Sequence, residues 1–261
     1  MKIKTSLILI TLILSQASYL KAQEQWIFFY PGTQGNAEEA APLMEAFSQD
    51  LQQASDGKIQ FQASYENQGK EGLTKILHKK PSLVLVAGDW YESQSSLQVF
   101  PLLAQAKLLG DSPNQETFYF LCKKPLKSQT QKIKVYTQKD FAPGFLEKKL
   151  EPLGLNLEVS LVEHPLATLK KIAASDNPEY FLADEVTYQN LKNLKAPWLQ
   201  QLSTQDPTLK IPAPKLLALQ TLPDKKIKQI NKALEKISKS SQAQESLNLL
   251  RLQGFEINPQ K

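Results

Sequence analysis

The chain has 261 residues, 41% hydrophobic and 22% charged, a globular composition that excludes a disordered, collagen-like or coiled-coil protein. The formal net charge is +5, but without Lys2, Lys4 and Lys21 of an N-terminal leader, 28 of the 31 basic residues face 26 acidic ones. An excess near +2 does not suggest a nucleic-acid-binding protein, which usually shows a basic face or arm. Cys122 is the only cysteine, which excludes intramolecular disulfides and zinc sites with paired cysteines. With only two histidines as well, we expect neither a metal nor a cofactor.

Residues 1–22 have the pattern of a secretory signal peptide. Two lysines precede the apolar run Leu7–Leu14, and small polar residues then lead to a plausible cleavage point after Ala22. The apolar run is far shorter than the ~20 residues that span a bilayer, and no cysteine follows the leader to carry a lipid. We therefore expect a soluble periplasmic protein that is not a lipoprotein, with an uncleaved anchor as the alternative.

The first part of the mature chain alternates short apolar runs with amphipathic helical patterns. Asn36 with Glu39 predicts a capping box at the start of the first helix, while Pro42 either kinks this helix or marks its true start. This β-α-β-α-β order is typical of a parallel sheet. In chain order, the predicted elements are Trp26–Tyr30, Asn36–Ser55, Ile59–Ala63, Gly69–Lys79 and Ser82–Ala87.

The same alternation then starts again. The predicted strands are Thr117–Cys122, Ile133–Thr137, Leu157–Val162 and Tyr180–Ala183, with helices at Gly144–Leu150 and Leu166–Ala174. A strand-length run at Lys215–Gln220 and two helices, Asp224–Ser238 and Gln242–Leu252, end the chain.

Two successive units predict an α/β protein with two Rossmann-like lobes joined by two crossing segments, Thr117–Cys122 and Lys215–Gln220. We place lobe 1 at residues 23–122 and lobe 2 at 123–214, with 215–261 returning to lobe 1. The alternative is one continuous α/β domain. In such folds ligands bind beyond the carboxyl ends of the strands and between domains, so the candidate site is the cleft between the lobes.

Several side chains follow the strands of lobe 1 and are candidates for that cleft. Tyr30 and Thr33 flank a Pro-Gly turn before the first helix, a loop that either cradles an anion or only turns the chain. Tyr65 follows the second strand, and Trp90 and Tyr91 follow the third. These aromatic residues either line a pocket or pack at its rim.

In lobe 2, Phe141 precedes a predicted helix, and His164 and Asp184 each follow a strand. His164 is either a helix cap or loop residue or a functional group. Asp184 either receives a cationic group or caps the next helix. Arg251, the only arginine, is far in sequence from every strand-end loop, which argues against a cleft that clamps a carboxylate through arginine. Nucleophile-elbow, P-loop and dinucleotide-binding motifs are missing from the sequence.

This order resembles the type II periplasmic solute-binding proteins, and within them the phosphonate- and phosphite-binding family of ABC transporters. The resemblance implies a bilobed fold, a small-molecule solute, an inner-membrane ABC permease as partner, and a monomer that is not an enzyme. The segments that carry it are the first strand with Asn36–Ser55, Tyr65 with Gly69–Leu77, Ser82–Tyr91, Gly144–Leu146, and Val162–His164 with the run into Asp184.

The sequence departs from that family just before Gly144. There the family has hydroxyl residues that hold the phosphonate oxygens, whereas this chain has Phe141, Ala142 and Pro143. None offers a hydroxyl, and Pro143 has no N–H. We therefore expect a solute other than a simple phosphonate, with aromatic or apolar character. The alternatives are a sensor or protein-interaction module without transport, and an enzyme that uses His164 with Glu163 or Asp184.

Overall fold

The computed structural model describes residues 23–32, 35–124, 132–154 and 156–257; the predicted leader and Thr33 lie outside them. In chain order the strands are β1 (Gln23–Phe29), β2 (Gln60–Glu66), β3 (Leu83–Val86), β4 (Leu102–Leu108), β5 (Gln115–Cys122), β6 (Lys132–Thr137), β7 (Asn156–Leu161), β8 (Glu179–Asp184), β9 (Ser203–Pro212), β10 (Lys215–Ala218) and β11 (Leu252–Ile257).

The helices alternate with these strands. They are α1 (Ala37–Ala54), α2 (Lys70–Lys79), α3 (Gly88–Ser93), α4 (Ser95–Gln98), α5 (Phe145–Leu150), α6 (Pro165–Ala174), α7 (Glu185–Asn193), α8 (Asp224–Ile237) and α9 (Gln244–Leu249). Two short 3₁₀ helices lie at Glu151–Leu153 and Pro197–Gln201. None of the helices in the described ranges combines the length and apolar content needed to cross a bilayer.

The strands form two sheets, and this confirms the prediction of two α/β lobes. The order is β11-β4-β10-β3-β1-β2 in the first sheet and β7-β6-β8-β5-β9 in the second. In each sheet three parallel strands share one arrangement: β1 lies between β2 and β3, and β6 between β7 and β8. The carboxyl ends of these parallel strands are where ligands of such sheets bind.

The two crossings do not lie where the sequence placed them. Thr117–Cys122 belongs to β5, inside the second sheet between β8 and β9, and β10 lies inside the first sheet. The chain instead crosses at residues 109–114 and 213–214. The physical reason is that β5 buries Phe118 and Phe120 on one face and Leu121 on the other, so it needs a packed core on both faces, which the interior of a sheet provides and an exposed connection does not. The sequence also missed β4 and β11, two strands of the first sheet.

Helix α1 shows the predicted capping box. The Asn36 side chain accepts hydrogen bonds from the N–H groups of Glu38 and Glu39, both at 2.9 Å, and the Glu39 carboxylate accepts one from Asn36 N at 3.1 Å. The helix begins at Ala37, so Pro42 is not its start. The N–H that Pro42 lacks would have bonded in the second turn of the helix.

Successive side chains of the central strands point to opposite faces of the sheet and pack in different hydrophobic cores. Trp26 and Phe28 of β1 pack with α1 and α8 on the outer face of the first sheet. Phe29 packs on the opposite face, in a core that continues into the second lobe through Phe118 and Phe120. A third core covers the other face of the second sheet, around Phe181. The lobes therefore share buried apolar contact beside the cleft.

Candidate functional site

A cavity of about 890 Å³ lies between the two lobes. Lobe 1 contributes the end of β1, the first turns of α1 and the turn after α9. Lobe 2 contributes β5 and the junction of β8 with α7, and the crossing at residues 109–114 closes one side. A volume of about 300–1,000 Å³ is usual for small-molecule sites. The cavity is therefore large enough for a small organic solute.

Two predicted tyrosines form part of the lobe 1 wall. Tyr30 and Tyr65 both line the cavity, and the Tyr65 hydroxyl donates a hydrogen bond to the Tyr30 carbonyl at 3.2 Å. Burial, and then the nearby Glu116 carboxylate, raises the pKa of Tyr30 well above its ordinary value, and burial also raises the pKa of Tyr65. Both phenols are therefore neutral.

Asp184 lies on the opposite wall and caps the next helix, which is one of the two roles that the sequence left open. One carboxylate oxygen accepts the Thr187 N–H at 2.6 Å and caps α7. The other contacts the Arg251 guanidinium at 2.9 Å. This ion pair joins the two lobes at the cavity. Arg251, dismissed from the sequence because it is distant along the chain, therefore lines the cleft.

The lining carries more negative than positive charge. Next to Asp184, Glu185 accepts a hydrogen bond from the Tyr119 hydroxyl at 2.5 Å, and this bond, with burial, raises the pKa of Tyr119 to about 12. Among the described residues that line the cavity, the acidic ones are Glu39, Asp111, Glu116, Asp184 and Glu185, whereas the basic ones are Lys139 and Arg251. The cleft thus favours cationic or neutral groups over anions.

Four other predicted residues do not line the cavity. Trp90 is buried: its indole N–H donates to the Asp140 carbonyl at 2.9 Å, and its ring packs edge-on against Phe29. Tyr91 lies in α3, half-buried against the core that both lobes share. These residues lie in a helix and not in a free loop, because α3 starts directly after β3. Helical geometry turns them away from the cleft.

Phe141 and His164 are the other two. Phe141 is buried against Phe118 and Phe145, since the short loop before α5 folds inward. His164 is exposed and precedes α6 without a side-chain capping bond. The enzyme hypothesis that pairs His164 with a carboxylate at the cleft therefore has no support from the geometry. In the described ranges, groups of three His, Cys, Asp or Glu side chains that could hold a metal are also absent.

Next to the cavity, the strand ends of the two lobes are joined by a buried cluster that we call the junction: Asp89, Trp90, Glu116 and residues 139–142. The Lys139 ammonium contacts a carboxylate oxygen of Glu116 at 2.9 Å and one of Asp89 at 3.4 Å. Burial opposes its charge, yet the two carboxylates hold the pKa of Lys139 well above its ordinary value. The sequence alone did not indicate that Lys139 meets these two partners.

No protein-family model and no curated protein sequence matches the chain. Solved structures do match its fold. One is a binding-protein component of an ABC phosphonate transporter from Pseudomonas aeruginosa, with 13% identity over 91% of this chain and 82% of that chain, and a TM-score of 0.60. Another is PhnD1 from Prochlorococcus marinus in complex with methylphosphonate, with 12% identity, 90% and 92% coverage, and a TM-score of 0.60.

A third similar structure is a protein from Xanthomonas citri bound to ATP, with 11% identity, 90% and 92% coverage, and a TM-score of 0.64. At such identities the likeness shows the fold alone. The chain thus has the bilobed α/β fold found in type II periplasmic solute-binding proteins, and the resemblance seen in the sequence is confirmed at this level.

Proposed function

We propose that this chain is an exported, non-enzymatic solute-binding protein that captures a small organic solute in the cleft between its lobes. The observation that carries the proposal is the cavity of about 890 Å³, walled by both lobes of a fold that solved binding proteins share. The signal-peptide pattern of residues 1–22 supports a periplasmic location. In this proposal the monomeric protein delivers its solute to an ABC permease of the inner membrane.

The lining supports a solute with an apolar body and a positively charged end. Phe28, Leu43 and the tyrosine rings offer apolar contact, and carboxylates outnumber basic groups. A simple phosphonate is disfavoured, because the Ala142 N–H already donates to a carboxylate oxygen of Asp89 at 2.9 Å. In the loop that departs from the phosphonate-binding pattern, the Ala142 N–H is therefore bonded to Asp89 and is not available to a phosphonate oxygen.

Three probes that share a phenylethyl group but differ in charge test the proposal. They are the cation phenethylamine, the neutral 2-phenylethanol and the anion 3-phenylpropionate. The melting temperature of the purified mature protein is measured with each at equal ionic strength. We expect the amine to stabilise most and the carboxylate least, since a ligand raises stability by mass action. A carboxylate that stabilises most would contradict the proposed charge preference.

A pair of variants locates the binding. Tyr65→Ala removes a ring from the cleft wall. We expect it to lower the affinity for phenethylamine at least tenfold, as measured by calorimetry. His164→Ala is the matched control, because this side chain is exposed and does not line the cavity. Equal weakening in both variants would exclude the cleft as the site. Native mass spectrometry of the purified protein would identify a solute retained from the cell.

A second function is a binding module without transport, acting as a sensor or a protein partner in the periplasm. The junction favours it, because side chains and backbone groups of the chain itself join the two lobes. Small-angle scattering separates the two functions. Transport by hinge closure predicts a smaller radius of gyration with the solute, whereas the module predicts an unchanged radius and a stable complex with a membrane protein.

A further inference from the structure

The strand ends of the two lobes meet at the junction, the place where α/β sheets otherwise bind ligands. Backbone groups already connect them there. Asp140 N donates to the Pro31 carbonyl at 3.1 Å, and Gly32 pairs with Lys139 in an isolated antiparallel bridge. The Trp90 indole donates to the Asp140 carbonyl at 2.9 Å. These polar contacts join the strand ends of the two lobes directly.

The centre of the junction is a niche for a positive charge. Asp89 follows β3, and its side chain is 0% exposed. Glu116 of β5 stands on the other side, and the rings of Phe118 and Phe141 lie 5.9 Å from the ammonium of Lys139. Two carboxylates and two ring faces around one point form a site for a cation. A carboxylate as buried as Asp89 needs such a partner.

We propose that the niche of Asp89, Glu116, Phe118 and Phe141 is a primary-ammonium site that is occupied from within by Lys139, and that this internal ligand keeps the lobes docked when no solute is bound. In a hinge-closing protein the solute supplies the bonds between the lobes. Here the chain supplies them itself. Glu116, Phe118 and Lys139 of the niche also form part of the wall of the cavity. The proposal concerns the solute-free protein and does not depend on the function proposed above.

Chemical complementation tests the niche. Lys139→Ala removes an alkylammonium that n-propylammonium replaces atom for atom. We expect the variant to melt about 10 °C lower than the wild type, with a larger radius of gyration in solution, because it leaves buried acids without their cation. n-Propylammonium chloride is expected to restore at least half of that loss relative to sodium chloride at the same ionic strength.

Two controls accompany this variant. Lys149→Ala removes an exposed lysine paired with Glu92 at 3.0 Å, and neither it nor the wild type should respond to n-propylammonium. A folded Lys139→Ala protein that is not rescued, or is rescued equally by propionate, would overturn the proposal. So would a variant with unchanged melting temperature and unchanged radius.

A measurement on the wild type covers the case in which Lys139→Ala does not fold. In the solute-free protein, confirmed as such by native mass spectrometry, we expect the N–H groups of Asp140 and Ala142 to exchange with deuterium as slowly as those of β8. Exchange at the rate of an exposed loop would show that the lobes are not docked, and the proposal would be wrong. Neither result bears on whether the cavity binds a solute.

Discussion

Ion pairs connect the lobes at the junction, at the cavity and between Lys149 and Glu92, and the first two differ mainly in burial. At the junction, the side chains of Lys139 and Asp89 are 13% and 0% exposed, whereas at the cavity those of Arg251 and Asp184 are 47% and 24% exposed. A buried pair is costly to break, because it leaves an uncompensated charge out of water. An exposed pair contributes about 0–1 kcal/mol and is screened by salt. The first contact is therefore structural, and the second is free to rearrange around a solute.

The largest expected effect comes from removing the buried acid. Asp89→Ala takes the partner from Lys139 and the acceptor from Ala142 N, and we expect the free energy of unfolding to fall by about 3–5 kcal/mol. Urea denaturation measures it. Glu92→Ala is the matched control, since its exposed pair with Lys149 should cost less than about 1 kcal/mol. If both variants lost the same unfolding free energy, burial would not be what distinguishes the two ion pairs.

A smaller loss of stability is expected where Gly88 of lobe 1 touches the end of β9 in lobe 2. A Cβ on Gly88 would overlap the Pro212 carbonyl oxygen, which is backbone and cannot yield easily. Gly88→Ala should therefore lower the free energy of unfolding by about 1–3 kcal/mol through overpacking. Gly72→Ala is the control, because its Cβ would meet only the flexible side chain of Glu66. A tolerated Gly88→Ala would mean that the lobes are less tightly docked here than the contact indicates.

The cavity side can be followed through Tyr119. Its hydrogen bond to Glu185 favours the neutral phenol, so we expect a pKa of about 12, from the absorbance difference between wild type and Tyr119→Phe during alkaline titration. Because the folded-state pKa is raised, this bond's contribution to stability is full below the unfolded value of about 10 and is lost as the pH rises. Glu185→Gln should bring the pKa back toward 10. An unchanged pKa would remove Glu185 as its cause.

The smallest effect is expected for the exposed pair. Arg251→Met should change the free energy of unfolding by less than about 1 kcal/mol, and that change should shrink further at high salt. Arg251→Lys keeps the charge and serves as the control. Urea denaturation at two salt concentrations measures both variants. A loss of unfolding free energy as large as that of Asp89→Ala would show that the exposed pair contributes as much to stability as the buried one.

The sequence predicted local structure better than contacts between distant segments. The spacing of apolar residues, together with the capping residues of α1, indicated this helix and the central strands. The repeated order of these elements then predicted the two lobes. Strands β4 and β11 escaped because their apolar–polar alternation is confined to short stretches, Ala104–Leu108 and Phe255–Ile257, and each strand is recognisable only beside its partner. The cavity walls at Tyr30, Tyr65 and Asp184 followed from strand ends, and their contact with a solute remains a prediction.

The junction could not be derived in the same way. Asp89, Glu116 and Lys139 come from three separate segments: the fold of lobe 2 brings Lys139 to Glu116, and the docking of the lobes brings Asp89 to Lys139. Trp90 and Phe141 were assigned to the cleft because aromatic residues at strand ends suggest a pocket. Their rings fill the junction side instead, since sequence order does not reveal which way a short helix or loop turns. Arg251 shows the converse, because distance along the chain hid its closeness to Asp184.

The crossing at residues 213–214 has little torsional freedom. Pro214 has a fixed φ and restricts the residue before it, and Ala213 N is bonded to the Asn114 carbonyl at 3.0 Å. A change in lobe orientation alters the torsion angles of both crossings, so the larger share falls on residues 109–114, in which Gly110 has a φ of +107°. Leu109 and Asp111 of that segment also line the cavity. The crossing that bends when the lobes turn therefore also forms part of the cavity wall, so the shape of the cavity and the angle between the lobes are coupled through one stretch of backbone.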